Sequence, residues 1–461
     1  MIPKSHQATV DQVRVHLLPV RTRVPLKFGT ETLTEVECLR VRVEIRAGDG
    51  RSAEGWGETP LSVQWVWPGA LPYGPRLDRM RDFSRRIASR WAGFGQCGHP
   101  MEVSQDFQEQ VLPLILEEAN REIPLAEPMP LLAALVCFSA FDIALHDAYG
   151  HLVGRPSFET LTPEFLGRDL AGFLEGDPAL VGKFPSDFLL PQRRDRMRAW
   201  HLVGGLDWLD SGEGGESPDA HPARLVDWVE RDGLQCLKIK LRGNDAAWDL
   251  DRLKKVGELG LARGVEWLST DFNCTVRDPA YVTEILDRVR DEAPRVYGMI
   301  LYVEQPFPYE LEEHPIEVWS VSARKPLFLD ESAHDWRHVR LGRSLGWNGV
   351  ALKTCKTLTG ALLSACWAQS RGMTLMVQDL TNPMLAQIPH LLLAAHLPTI
   401  MGVETNSMQY YPEASAPEAV VHPGIYQRRK GAVDLSTITG PGMGYRIHEI
   451  RRELPPAFYE A

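Results

Sequence analysis

One pattern dominates the second half of the chain. From about residue 198, short apolar runs alternate with amphipathic helical stretches. The runs are RAWHLVGGL (198–206), LQCLKIKL (234–241), VEWLSTDFN (265–273), MILYVEQP (299–306), PLFLDES (326–332), GVALK (349–353), MTLMVQD (373–379) and IMGVE (400–404). Segments such as AAWDLDRLKKVGELGLARG and LTGALLSACWAQSRG separate them. Neighbouring parallel strands need a crossover, so repeated strand–helix units predict a parallel sheet. Eight such units fit a closed (β/α)8 barrel better than an open sheet. The fold class is therefore α/β.

The first hundred residues read differently, as α+β. VRVHLLPV (13–20) and VECLRVRVEIR (36–46) are strand candidates, the second alternating Leu39, Val41, Val43 and Ile45 with Arg40, Arg42 and Glu44. GWGETP (55–60) reads as a Gly-Glu turn. Helices are predicted near 76–92 and 101–120, and a strongly apolar one over about 128–149. Residues 167–197 lack periodicity and read as an insertion or long loop, and 210–222 as a second loop. The expected organisation is an α+β domain over 1–127 and a barrel over 128–420 with an insertion near 167–197. The strand-like pieces of 421–461 return to the N-terminal domain.

Charge and cysteines bound the function. The net charge of −11 argues against a nucleic-acid binder, which would carry a basic face. The most apolar stretch, 131–150, contains Asp142, His146 and Asp147, so it reads as a core helix and not a membrane span. Seven widely spaced cysteines form no metal knuckle and no disulfide framework, and they suit a reducing compartment. The N-terminus has no apolar leader pattern. The expectation is a soluble, cytoplasmic protein with no nucleic-acid or membrane partner.

The chemistry gathers at the C-terminal ends of the repeated strands, where barrels carry their sites. Period 2 puts Lys238 and Lys240 on one face, with Leu237, Ile239 and Leu241 turned toward the helices. Two desolvated lysines that repel each other favour a neutral amine, which can act as a base. The bland alternative is a solvated Lys-x-Lys on an edge. The next three strands each end in a carboxylate, Asp271, Glu304 and Asp330, spaced 33 and 26 residues apart. That is about one strand–helix unit apiece, which brings three acids to one rim. A divalent cation resolves their repulsion, and all-oxygen ligation favours Mg2+, or Mn2+, over zinc. Lys353 ends strand six, across the mouth from Lys240. Lys356 lies beyond the strand and reads as solvated. Gln378, Asp379 and Glu404 end strands seven and eight, as substrate contacts or as supporting acids and amide behind the site. His201, His390 and His396 read as structural, and Cys274 and Cys355 have no histidine partner.

Together these motifs resemble the enolase superfamily, in its muconate lactonizing enzyme-like branch. The matching residues are Lys238 and Lys240 (K-x-K), Asp271 and Asn273 (D-x-N), Glu304 (E-Q-P), Asp330 and Glu331 (D-E-S) and Lys353. GWGETP, FDIALHDAYGHLVGRP and the PGMGY region also look like family segments. The resemblance implies a barrel capped by an α+β domain built from both ends of the chain. By it, Asp271, Glu304 and Asp330 are the Mg2+ ligands. Lys240 and Lys353 are the acid/base pair on opposite faces of a small carboxylate substrate, assisted by Lys238. Asn273 and Glu331 join Gln378, Asp379 and Glu404 behind the ligands or at the substrate. Cap loops near 22–30 and 58–72 would close over the site.

The implied reaction removes a proton α to a carboxylate and stabilises an enediolate. An isomerase is expected: a racemase, an epimerase or a cycloisomerase. A lyase (dehydratase-like or o-succinylbenzoate synthase-like) on the same site is one alternative, and a noncatalytic enolase-like scaffold another. The absence of a strand-seven His with a strand-six Asp disfavours a mandelate racemase-like base. GVETN in place of Asp-x-Asp on strand eight weakens a dipeptide epimerase. Homo-oligomerisation is left open.

Overall fold

The computed structural model describes residues 2–122, 126–214, 217 and 219–461, so part of the expected loop 210–222 lies outside the described residues. Three long strands, β1 (Ala8–Phe28), β2 (Glu31–Ala47) and β3 (Ser52–Pro60), form an antiparallel sheet. The barrel strands are β4 (Arg196–Val203), β5 (Cys236–Lys240), β6 (Trp267–Asp271), β7 (Ile300–Glu304), β8 (Leu327–Leu329), β9 (Gly349–Leu352), β10 (Thr374–Val377) and β11 (Val403–Glu404). All their ladders are parallel, and β11 pairs with β4. The Ile400 amide donates to the Leu375 carbonyl (2.8 Å), which joins the last strand to β10 and rounds the ring. All eight predicted strands are present, and the α/β barrel with a separate antiparallel sheet is borne out.

Period 2 fills the interior in layers. Trp200, Cys236, Tyr302, Phe328 and Met376 form an apolar floor, with Tyr302 stacked on Phe328 (4.5 Å between ring centroids). Two residues further along β5 and β7 stand Lys238 and Glu304, above that floor. Leu237, Ile239 and Leu241 face outward into the core under the helices.

GWGETP is not a turn. It is the second half of β3, and its glycines have a packing reason. The apolar helix Leu131–Val153 lies directly on this strand. A Cβ on Gly55 would stand 2.1 Å from the Ala148 amide nitrogen, and one on Gly57 2.1 Å from the Ala140 carbonyl. Only glycine permits that approach. The same helix carries Asp147, whose carboxylate accepts from the Trp56 amide of β3 (2.8 Å) and the Met443 amide of the tail (2.6 Å). It also carries Asp142, which accepts from Thr359 N and Oγ1 at the start of the helix Leu358–Ser370, just after β9. One helix thus binds cap strand, barrel rim and C-terminal tail, and nearly all of it is buried. By length and composition it could cross a membrane; here it is core.

A buried ion network also crosses from the sheet to the segment after β11. Arg40 of β2 donates to Glu58 of β3 (2.5 Å) and to Glu418 (3.3 Å). The chain end returns as β12 (Ala432–Asp434) on β4 and β13 (Tyr459–Glu460) on β1. Residues 167–197 are ordered as short turns anchored by Leu170, Phe173, Leu174 and Leu180 in the core, before β4 begins at Arg196. The helix expected over 101–120 is two helices, Pro100–Gln110 and Leu112–Glu122.

The contact between β3 and the apolar helix is exposed to a direct test. Gly57→Ala must push two backbones apart and should cost about 3 kcal/mol or more by the overpacking rule. Ala substituted for the exposed Gly50 would leave the midpoint of chemical denaturation far less changed, though its positive φ carries a small penalty. Equal losses at the two positions would refute the packing argument.

Candidate active site

The ladder registers align Lys240 with Asp271 and Asp271 with Glu304, so the ends of β5, β6 and β7 present their charges side by side. Lys238 is the centre of the lower tier. Its Nζ donates to Glu304 Oε1 (2.6 Å) and stands 3.1 Å from Asp271 Oδ2 and 3.1 Å from Glu404 Oε2. Burial works against this ammonium, but the carboxylates of Glu304, Glu404 and Asp271 outweigh it and hold the pKa well above the ordinary value. The expectation that desolvation and repulsion would leave it neutral is therefore corrected. The neighbouring acids decide, because three carboxylates stand within 3.1 Å of this amine.

In the upper tier Lys240 Nζ donates to Asp271 Oδ2 (2.5 Å). Lys353 Nζ lies 2.9 Å from Asp330 Oδ2, donates to the Asp379 carbonyl (2.9 Å), and sits 4.7 Å from the Trp65 ring centroid. Burial opposes the Lys353 charge and Asp330 restores it, with a net upward shift. Asp271 and Asp330 are both held below the usual carboxylate range. Burial would raise them, but Lys240 and Lys238 lower the first, and Lys353 and Lys356 the second. Glu304 moves the other way, raised by burial and by the negative charge of Asp271. One shared ammonium cannot neutralise every acid around it.

Lys356 is a second correction. It is buried, not solvated, and its Nζ donates to the Asp330 and Ala333 carbonyls and faces Asp330 Oδ1 (3.4 Å). Helical geometry after β9 returns it to the rim, since Thr354–Lys356 is a single 3-10 turn. Burial, opposed mainly by Asp330, lowers its pKa.

The remaining predicted residues support these groups. Asn273 N donates to Asp271 Oδ1 (2.9 Å), and its side-chain amide to Glu331 Oε1 (3.0 Å). Trp65 Nε1 shares that Glu331 oxygen (3.1 Å), and burial with the charge of Asp330 raises the Glu331 pKa to about 6. Gln378 Nε2 bridges Glu304 Oε2 (2.5 Å) and the Tyr302 hydroxyl (3.1 Å). Asp379 accepts from the amides of Asn382 and Asn406, and Asn406 Nδ2 donates to Glu404 Oε1 (2.7 Å). His390 bonds the Glu404 carbonyl, His396 that of Leu392, and His201 meets Gln409.

Sequence reasoning missed several contributors. Gln305 Oε1 accepts from Asp330 N (2.7 Å) and Ser332 Oγ (2.7 Å), fixing the turn that presents Asp330. Its place directly after Glu304 was the available signal. Trp65 could not be assigned from sequence, because its partners are more than 200 residues away. Backbone strain marks the same rim: Asn273, Cys274, Gln305, Thr357 and Thr381 all have positive φ. Such strain persists only where the surroundings over-determine it. The cap segments near 22–30 and 58–72 do cover the site, but through strands β1 and β3 and a short helix, not as open loops. Leu26, Phe28, Ser62 and Trp65 meet Lys238, Lys240, Lys353, Asp379, Glu404 and Asn406 around a cavity of about 40 Å³.

The donor set suits a divalent cation. Six buried carboxyl groups (Asp271, Glu304, Asp330, Glu331, Asp379 and Glu404) gather with four buried lysines, and burial with the neighbouring negative charges raises Glu304 and Glu331. Among the described residues, no three acidic, histidine or cysteine side chains are arranged as they stand to hold a metal. Asp271, Glu304 and Asp330 are closed around lysine ammonium groups, so metal binding there requires those contacts to open.

Residues 222–451 match the family model for the enolase C-terminal domain-like family. No curated protein matches the chain. Among solved structures, N-succinyl Arg/Lys racemase from Bacillus cereus superposes with a TM-score of 0.62 at 14% identity, covering 98% of this chain and 99% of that one. Muconate lactonizing enzyme from Pseudomonas fluorescens gives 0.59 at 16% identity, over 96% and 100%. Dipeptide epimerase from Enterococcus faecalis, complexed with Mg and the dipeptide L-Leu-L-Tyr, gives 0.59 at 16% identity, over 95% and 99%. These likenesses establish the fold.

Two outcomes follow from the charge arrangement. Mg2+ at 100 times its dissociation constant should stabilise the protein by about 2.7 kcal/mol; a thermal midpoint indifferent to Mg2+ in the wild type, or unaltered in its Mg2+ response by Asp330→Asn, would contradict it. Lys356→Met leaves Asp330 without one of its two ammonium partners and should cost about 3–5 kcal/mol in metal-free denaturation.

Proposed function

Through residues 222–451 this chain belongs to the enolase C-terminal domain-like family, and from that premise we propose that it is a Mg2+-dependent isomerase acting on a small carboxylate. The observation that carries the reading is the placement of two lysines. Lys240 ends β5 and Lys353 follows β9, four strands apart in an eight-strand ring, so they approach one cavity from opposite sides.

Asp271, Glu304 and Asp330 would hold the cation, with Mn2+ an acceptable substitute for Mg2+. Bound there, it supplies positive charge to the substrate carboxylate, which acidifies the α-proton and stabilises the enediolate. The chain's own groups do the rest. One amine, at Lys240 Nζ or Lys353 Nζ, takes the α-proton on its side of the substrate. The other delivers a proton to the opposite face, which inverts the α-carbon. Lys238 does not reach the substrate as a base; held by Glu304, Asp271 and Glu404, it is a fixed positive charge under the reacting carbon. Asn273 and Gln305 orient Asp271 and Asp330, and Gln378 orients Glu304. Leu26, Phe28 and Trp65 of the cap exclude water from the amines.

Opposed bases support racemisation or epimerisation first. Cycloisomerisation uses the same proton transfer at one face. The test is α-proton exchange in D2O with a panel of acylamino acids, dipeptides, sugar acids and muconates, with and without Mg2+. Lys240→Ala and Lys353→Ala should each lower exchange from one face by about 10²–10⁴-fold and leave exchange at the other face largely intact. Full exchange in both variants would sink the two-lysine assignment.

A further inference from the structure

A second cavity, of about 370 Å³, opens beside the catalytic one. Leu202 and Leu26 line the catalytic cavity, while their chain neighbours His201 and Pro25 line the second. The two are therefore back to back across the end of β4 and the cap strand β1. The Gly205 amide bonded to the Lys27 carbonyl (3.2 Å) stitches the same boundary. Most of the second wall is apolar or aromatic: Val24, Pro25, Leu206, Trp208, Leu225 and Trp228. Leu206 and Trp208 are exposed large hydrophobic residues, so the mouth is an apolar patch facing water.

Two buried polar atoms of this wall have no hydrogen-bond partner among the described residues: His201 Nδ1 and Tyr410 Oη. Their residues are 1% exposed each. The proton on His201 can be assigned. Gln409 Oε1 accepts from the Leu202 amide (3.3 Å) and Arg428 (3.3 Å), which fixes its Nε2 as the donor. That Nε2 faces His201 Nε2 (3.2 Å), so the ring accepts there. Burial and the charges of Arg428 and Arg231 keep the ring neutral. The remaining proton is on Nδ1, an N–H donor left without an acceptor. Leaving such a group unpaired is costly, and proteins rarely do so without a ligand or water to receive it. The wall also carries one charge of each sign, Asp207 and Arg23, and the Arg23 guanidinium is already held by Asp219 (2.7 Å), so neither charge calls for an ionic ligand.

We propose that this cavity binds a neutral molecule, or a neutral arm of one, with an aromatic or apolar body and a carbonyl oxygen that accepts from His201 Nδ1–H and Tyr410 Oη–H. Its chemistry does not depend on the reaction assigned to the barrel. The body packs on Trp208 and Trp228, and the carbonyl satisfies the two donors.

Calorimetric titration of the full chain with benzamide, toluene and benzoate tests the site. Benzamide should bind saturably and tighter than toluene, which lacks the acceptor, and tighter than benzoate, whose charge must be desolvated while Arg23 is held by Asp219 and Asp207 stands in the same wall. Tyr410→Phe deletes a hydroxyl that has no hydrogen-bond partner among the described residues, so the fold should be retained. It should weaken benzamide about 3- to 10-fold, the worth of one hydrogen bond, and leave toluene unchanged. Val24→Trp, which narrows the cavity, should weaken benzamide binding at an unaltered thermal midpoint. No saturable benzamide binding, or equal affinity in wild type and Tyr410→Phe, would overturn the proposal. Benzamide that competes with a carboxylate undergoing α-exchange identifies the cavity as the seat of a substrate arm; simultaneous binding identifies a separate ligand.

Discussion

Everything at the barrel mouth is arranged around the buried ammonium of Lys238. It has three carboxylates within 3.1 Å, on β6, β7 and β11, and it stands above the aromatic floor of Trp200, Tyr302 and Phe328. Desolvation of such a group is offset only by close, well-oriented anions. The position of Glu304 is set from the other side by Gln378, itself tied to Tyr302, so the charged tier is registered on the apolar one. Lys240, Lys353 and Lys356 then share Asp271 and Asp330 above it. The result is a site with more acid than base, enclosed where water does not screen it.

The cap is part of the same construction. Its sheet meets the barrel through the helix Leu131–Val153, which can approach β3 because Gly55 and Gly57 lack side chains. Asp142 on that helix holds the start of the helix after β9, and so the turn that carries Lys353 and Lys356. Trp65 lies over both amines and bonds Glu331. The cap and the geometry around Lys353 and Lys356 are thereby coupled through a few buried contacts.

Much of this was legible in the sequence, and for physical reasons. Strand alternation is local, so LKIKL alone states that Lys238 and Lys240 share a face. Equal spacing of strand–helix units states that Asp271, Glu304 and Asp330 share a rim. The errors were also physical. GWGETP looked like a turn because glycine is a turn residue, yet here it serves close packing. Lys356 looked solvated because lysines usually are, and nothing nearby in sequence revealed that Asp330 and Ala333 would wait for it. Desolvation and a second lysine favour a neutral Lys238, but the carboxylates that β6, β7 and β11 bring within 3.1 Å reverse that balance.

The chain's own order of residues determined the eight strands, the inward face of each and the acids at their ends, because these follow from backbone periodicity and short-range spacing. Tertiary structure alone decided the charge state of Lys238, the burial of Lys356, the strained seat of Gln305 and the cover formed by Trp65. Each depends on groups brought together across tens to hundreds of residues, and burial sets how strongly they act on one another.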